Sequence, residues 1–425
     1  MLPTDRPLHV VIVDEELPYP MISGKRIRTT NLILRLAQRH RITLLTHRNS
    51  DPAELAQANE FFRDHGVTTI QSPSEVPGRS VASGGVTFYA RLAANLLSPR
   101  PYLVDVNNSP ELRRTAAEYG RRHAVDLWQV EWTPYAEVLR GLPVQPSLVM
   151  AHNIESLIWQ RYWETESNPV KRWYIERQWR KFEAFERRTF AECTQLVTVS
   201  DADAVLARER YGAERTAVVD NGVDTAYFQP PATPGDPRRI LFLGSLDWRP
   251  NLDAARLLLE QVFPAVRAQE PDARLSIVGR NPPPWLTALA SQAAGVELHA
   301  SVPDVRPYLA AAGVLAVPLR VGGGSRLKIL EALAAGLPVV STRVGAEGLD
   351  LDPGRHITEV EQVSELAPAL IETMRQPAAA QVQAQAGRQR VLAAYDWDAL
   401  ADRLERIWFA CTPVTQPTMA AGAMS

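Results

Sequence analysis

Short apolar runs punctuate this chain, and polar stretches with helical periodicity separate them. In the first half the runs fall at 10–13, 42–45, 67–70, 127–130, 148–151 and 196–199. They are rich in Val, Ile and Leu and alternate little, which is the pattern of strands buried on both faces. The stretches between them, at about 29–39, 54–65, 90–97 and 111–123, carry apolar residues at helical spacing. A second series of runs follows at 240–243, 275–278, 296–298, 314–317 and 339–341, with helical stretches near 252–268, 285–293, 305–311 and 362–375. Strand alternating with helix predicts parallel βαβ units and sheets covered on both faces. The Pro-rich segment 227–237 between the two series reads as an interdomain linker. The expected organisation is an α/β chain with one wound sheet in 1–230, a second in 231–394, a final helix over 395–411 and a disordered tail over 412–425. Ligands of such sheets bind beyond the carboxyl ends of the strands.

Composition narrows the picture. The 425 residues are 45% hydrophobic and 22% charged, which is ordinary for a globular protein of two or three domains. The net charge of −2 gives no global electrostatic case for nucleic acid. Cys193 and Cys411 lie far apart and make no disulfide framework, so a reducing cytoplasm is expected. No leader-like run opens the chain, and no stretch approaches the roughly 20 apolar residues of a membrane span.

Chemistry concentrates after the run at 314–317. Gly322, Gly323 and Gly324 let a backbone approach a ligand where a Cβ would clash. Ser325 is placed to cap the following helix, and Gly336 with Pro338 marks its end. Arg326 and Lys328 add cations at a helix start that already favours an anion, so phosphate is the expected guest. Glu331 lies three residues beyond Lys328, on the same face of an otherwise apolar helix. That face is expected to look into a cleft, where the carboxylate can accept hydrogen bonds from sugar hydroxyls. A surface Lys328–Glu331 ion pair is the plainer alternative.

The segment from Gly322 to Val340 resembles the donor-binding signature of the retaining glycosyltransferases of family 4, which have the GT-B fold. The resemblance implies two facing Rossmann-like domains with a cleft between them, acceptor in the first and nucleotide-diphosphate sugar in the second. The family's two glutamates are separated by seven residues. Glu331 matches the second, which grips the ribose, while Gly323 stands where the first would be. Sugar contacts are then expected from the backbone of Gly323 and Gly324. The loop is most similar to a subset with Gly-Gly-Gly-Ser/Thr-Arg-x-Lys.

Other segments follow the family in order. Asp220-Asn221-Gly222-Val223-Asp224 resembles its exit from the first domain, and Tyr395-Asp396-Trp397-Asp398 its final helix, which returns to the first domain. Gly244 and Ser245 open a turn expected to aim N–H groups into the cleft, with Arg249 reaching phosphate or else pairing with Asp247. Gly279-Arg280 resembles the turn lining the nucleotide pocket, and Val302-Pro303 the loop bracketing the base. The usual Gly-Arg and Lys-Gly pairs of the family are missing, so Arg326 and Lys328 are expected to carry the diphosphate charge. In the first domain Gly24, Arg26 and Arg28 resemble the loop before the first helix and are read as acceptor contacts, with a solvated cluster as the alternative. His152-Asn153 resembles a His-Asp or His-Asn facing the donor sugar across the cleft, and both residues are also read as acceptor contacts, with His152 positioning and stabilising while the leaving phosphate takes the acceptor proton.

The catalytic expectation is therefore His152, Arg326, Lys328 and Glu331. No cofactor or metal is expected. The Asp-x-Asp strings at Asp201, Asp350 and Asp396 are too cheap to signal one, and Ser200 with Asp201 reads as a helix start. The aromatic and basic stretch 157–188 is either packed core with a solvated basic face or a seat on the inner face of an anionic membrane. The overall expectation is a retaining enzyme of surface polysaccharide or glycolipid synthesis. A nucleotide-sugar epimerase of the same architecture and a silent sugar-nucleotide binder stand as alternatives.

Overall fold

A computed structural model describes residues 6–75, 86–321 and 326–412. Two parallel sheets form. The first contains β1 (His9–Asp14), β2 (Arg41–Arg48), β3 (Thr68–Glu75), β4 (Leu127–Val130), β5 (Ser147–Ala151), β6 (Gln195–Thr198) and β7 (Thr216–Val218), in the spatial order β3-β2-β1-β4-β5-β6-β7. The second contains β8 (Asp236–Leu243), β9 (Arg274–Gly279), β10 (Val296–Ala300), β11 (Ala312–Val317), β12 (Val339–Thr342) and β13 (Thr358–Val360), in the order β10-β9-β8-β11-β12-β13. Strand order reverses between β1 and β4 and again between β8 and β11, and these switch points leave crevices at the carboxyl ends. The central strands are buried along their length; β1 has no exposed residue. This α/β arrangement of two Rossmann-like domains is the GT-B fold.

Helices that position the site are α1 (Gly24–Leu36), α2 (Glu155–Thr165), α3 (Pro169–Glu192), α4 (Asp201–Tyr211), α5 (Arg249–Leu257), α6 (Leu327–Ala334) and α7 (Trp397–Cys411). Ser23 caps α1, Asn168 caps α3 and Ser200 caps α4, each side chain accepting from a backbone N–H of the first turn. The α2 start is capped from a distance. Buried Glu186 of α3 accepts from the backbone N–H of Glu155 at 2.6 Å and of Ser156 at 3.2 Å, and from the Ser156 hydroxyl. Helix α5 continues through a π-helical turn (Leu258–Val262) into Phe263–Gln269, so the expected single helix there carries one extra residue per turn in its middle.

The chain crosses between domains twice, side by side. Val223 N–H donates to the Tyr395 carbonyl at 2.9 Å, and a Cβ on Gly222 would lie 2.6 Å from the Trp397 ring. Helix α7 then runs back over the first domain. Trp408 is fully buried there and donates through Nε1 to Gln129 Oε1 at 2.7 Å. His40 meets Glu405 at 2.7 Å, Arg39 pairs with Asp402 at 2.8 Å, and Arg35 pairs with Asp398.

Candidate active site

At the second switch point, β8 ends in Leu243 and the turn from Gly244 to Trp248 leads into α5. Gly244 is required by its neighbour: a Cβ there would lie 2.7 Å from Asn251 Cγ. Gly279, at the end of β9, backs directly onto the Gly244 carbonyl and has no room for a side chain. Arg280 ties the two turns, its Nε donating to Ser245 Oγ at 3.1 Å and its guanidinium lying 3.7 Å from Asp247. Arg249 does not pair with Asp247. It reaches the first domain, stacking 4.7 Å over the Tyr162 ring and 3.8 Å from Glu166. The loop at Val302 and Pro303 is anchored by the Ser301 N–H on the Gly279 carbonyl, 2.9 Å, and by Arg306, which holds Asp304 and stacks 3.8 Å over Tyr227.

The expected phosphate loop, Gly322, Gly323, Gly324 and Ser325, lies outside the described residues. Helix α6 begins at Leu327, and the position before it is Arg326 rather than a capping serine. Arg326 has a left-handed backbone, φ 51°, which a non-glycine residue adopts only when its surroundings enforce it. Its side chain turns toward the first domain. Nη2 donates to the Val344 carbonyl at 2.9 Å and Nε to the Glu347 carbonyl at 3.2 Å, while the Glu347 carboxylate lies 3.5 Å away. Glu347 also accepts from Arg161 of α2 at 2.7 Å, so one carboxylate joins both domains. Burial pulls the Arg326 guanidinium down to about 10.

Lys328 and Glu331 share a face of α6 but form no ion pair among the described residues. The Lys328 ammonium donates instead to Asn251 Oδ1 at 2.9 Å and lies 4.9 Å from the Phe242 ring centre. Burial, then repulsion by Arg326, lowers it to about 7. Burial raises the Glu331 carboxyl to about 7, with Lys328 opposing the shift. Among the described residues no side chain hydrogen-bonds the Glu331 carboxylate. A cation held by a neutral amide and a carboxylate without a side-chain hydrogen-bond partner among the described residues, both at a switch point, suit a ligand that has an anion and hydroxyls.

The first domain contributes a second polar cluster. His152 follows β5, and its Nε2 lies 3.1 Å from Glu131 Oε2 at the end of β4. Glu131 is buried and also accepts from the Thr29 hydroxyl at 3.0 Å and from Gln129. Burial alone would push its carboxyl up. The hydrogen bond and charge of His152, with Arg28 and Gln129, outweigh that and hold it at about 2. Burial lowers His152, with the hydrogen bond and charge of Glu131 opposing the shift. An ionised carboxylate only accepts, so Nε2 carries the proton and Nδ1 is left with its lone pair. Beside this pair Lys25 meets Asp14 of β1, and Trp132 Nε1 donates to Glu155 Oε1 at 2.8 Å.

Arg26 and Arg28 depart from the expected cleft wall. Arg26 is buried between Glu16 at 2.5 Å and Glu54 at 2.6 Å. Arg28 is 1% exposed and donates to the Val219 carbonyl at 2.8 Å and to that of Asp220. Desolvation makes such arginines costly unless paired, and these pairs lie within the first domain. Gly24, between them and Ser23, opens α1. Sequence reasoning also passed over Glu131, Asn251, Arg161 and Glu347. Glu131 had one available signal, a carboxylate directly after an apolar run, as His152 is.

One cavity of about 300 Å³ spans the domains and brings two expected site residues together. Asn153 of the first domain and Arg326 of the second both line it, with Arg161, Asp203, Asn221 and Glu347.

Comparison with known proteins fits this geometry. Residues 22–227 match the model described as Glycosyltransferase Family 4, and residues 237–376 match Glycosyl transferases group 1. The chain carries the two domains of a GT-B glycosyltransferase. It is 30% identical over 246 residues to an MMP alpha-(1->4)-mannosyltransferase of Mycolicibacterium hassiacum, covering 54% of this chain and 58% of that protein. It is 30% identical over 225 residues to a phosphatidyl-myo-inositol mannosyltransferase of Mycobacterium leprae, covering 50% and 58%. The chain thus spans a little over half the length of these curated relatives. Among solved structures, a sucrose-phosphate synthase from Thermosynechococcus elongatus superposes with a TM-score of 0.70 over 94% of this chain and 98% of that one, at 19% identity. At that identity the GT-B likeness concerns the fold. Among the described residues no helix is long and apolar enough to cross a membrane.

Proposed function

We propose that the protein is a retaining glycosyltransferase that moves a sugar from a nucleoside-diphosphate sugar to a saccharide or lipid-linked acceptor. The observation that carries this reading is the Lys328–Asn251 contact beside the Glu331 carboxylate, which among the described residues no side chain hydrogen-bonds, at the second switch point. In this reading Lys328 and Arg326 neutralise the diphosphate and Glu331 accepts from the ribose. The bond from the anomeric carbon to the phosphate oxygen breaks, and its electrons pass to the leaving diphosphate. The acceptor oxygen bonds to the same face of that carbon, and its proton goes to the leaving phosphate oxygen. His152, oriented by Glu131, positions the sugar and stabilises the transition state. No cofactor takes part. Likeness to a mycobacterial protein named as a GDP-mannose-dependent mannosyltransferase, 29% identical over 208 residues, supports a sugar-nucleotide donor; donor base and sugar are assigned by experiment.

The acceptor setting in the proposal is the cytoplasmic face of an anionic membrane. Helix α3 supports it. Trp179, Phe182 and Phe185 are core residues, but Val170 is 73% and Trp173 47% exposed, on a face that continues through Arg177 and Arg180. Lys181 and Gln178 of the same helix hold Asn95 at 2.5 and 2.8 Å, and Leu97, two residues on, is 93% exposed. Apolar tips among cations suit a lipid interface.

The test is incubation with a panel of UDP- and GDP-sugars, with and without saccharide and lipid-linked acceptors, followed by NMR of the product's anomeric linkage. A glycoside with the donor's configuration is expected. Interconversion of the donor sugar without acceptor would make the protein an epimerase. Tight nucleotide binding with neither product would make it a silent binder.

A further inference from the structure

We infer that Asn251 is the positioning residue of the donor site, holding the Lys328 ammonium toward the diphosphate while leaving its charge unspent. The inference rests on the donor-site reading above and adds a residue to it.

The Asn251 side chain is 3% exposed and both its polar atoms are engaged. An ammonium only donates, so the amide oxygen must face Lys328, at 2.9 Å, and Nδ2 then donates to the Ser245 carbonyl at 3.0 Å. The amide therefore bridges the turn after β8 to the first turn of α6, the two segments expected to flank the phosphates. Gly244 is cut to fit it, since a Cβ there would overlap Asn251 Cγ. The backbone N–H of Asn251 is fixed as well, on the Trp248 carbonyl at 3.0 Å. Asp253 of the same helix, the nearest carboxylate in sequence, is taken by Arg320 at 2.6 Å and does not compete for Lys328.

Chemical identity matters here more than shape. The charges acting on Lys328 are Arg326, which repels it, and Glu331, which attracts it; β8 presents Phe242 and α5 presents Asn251, both neutral. A carboxylate at 251 would make the same contact but would neutralise the ammonium and repel a diphosphate. An amide orients without neutralising.

The experiment uses the full chain and titration calorimetry with UDP and GDP, whichever binds. Asn251→Asp is expected to weaken nucleoside-diphosphate affinity at least about tenfold while the Tm stays within a few degrees. It is also expected to flatten the loss of affinity between about pH 7 and about 8.5, because the new carboxylate keeps Lys328 protonated before the ligand arrives. Asn251→Ala is expected to weaken affinity but retain the wild-type pH slope. A purely structural amide would lower Tm in both variants and leave the slope unmoved. If Asn251→Asp binds with wild-type affinity and slope while Lys328→Met loses affinity, the role of Asn251 is overturned and the donor-site reading stands. If Lys328→Met itself binds as the wild type does, the donor-site reading fails, and this inference with it.

Discussion

His152 and Glu131 meet at 3.1 Å across the carboxyl ends of adjacent strands β5 and β4, and the buried carboxylate fixes which ring nitrogen carries the proton. The pair is set by topology: both residues directly follow apolar runs that the sheet places side by side. Its consequence is an imidazole whose remaining nitrogen is an acceptor in the neutral ring.

Glu131→Gln should therefore disturb the ring more than the fold. Turnover is expected to fall by at least about tenfold, because an amide can present an N–H to Nε2 and favour the other tautomer. The acid stability should change as well. The carboxyl sits at about 2 in the folded protein, below its ordinary value, so its stabilising contribution is present above the unfolded value and is lost as pH falls toward about 2. Urea melts of both proteins near neutral pH and near pH 3 check this: the gap between them should shrink on acidification.

Nucleotide affinity should peak near neutral pH. Lys328 is at about 7 and is charged below that, so affinity should fall as pH rises above it. Glu331 is also at about 7 and is ionised above that, so affinity should fall as pH drops below it. Glu331→Gln should remove the acid limb and keep the alkaline one. Calorimetry with UDP or GDP across pH reads both limbs.

Arg326→Ala should lose on two counts. Its guanidinium holds the Val344 and Glu347 carbonyls, and their loss should cost about 1–3 kcal/mol of stability. Donor KM should rise or turnover fall by at least about tenfold, as expected for a cation at the diphosphate. Thermal unfolding with and without nucleotide separates the two effects; unchanged donor affinity and rate would remove Arg326 from the site.

Trp173→Glu together with Leu97→Glu should abolish flotation with anionic vesicles at low salt and leave transfer to a soluble acceptor unchanged. Binding of the wild type should weaken as salt rises. Absence of wild-type binding at low salt would end the membrane proposal.

Chelation should leave turnover intact. The Asp-x-Asp strings have other occupations: Asp203 accepts from Ser200 at 2.8 Å, Asp350 pairs with Arg390, and Asp396 caps α7. Activity strictly dependent on added manganese would contradict this.

The sheets were legible because buried parallel strands leave near-continuous apolar runs, and each expected run became a strand. The edge strands β7 and β13 were not, since each is three residues long and half-buried, with no run to read. Helix α3 hid within a stretch whose aromatics serve both core and surface. For the site, Lys328 and Glu331 stood out as charges on an apolar helix, but their partners did not. Asn251 is an ordinary amide in sequence, and only the fold brings it to Lys328 from 77 positions away. Arg26 and Arg28 misled for the complementary reason. A basic pair after a strand looks available until Glu16, Glu54 and the backbone at Val219 and Asp220 are seen to consume it.

The return of α7 to the first domain also orders events on the ribosome. Gln129, His40 and the outer side of α1 wait for Trp408, Glu405 and Asp398, which are among the last described residues to be translated. The first domain therefore emerges with an unsealed flank and stays that way until α7 has been made. A nascent chain stalled before Trp397 should be a chaperone client, and emergence of α7 should be the step that closes the flank.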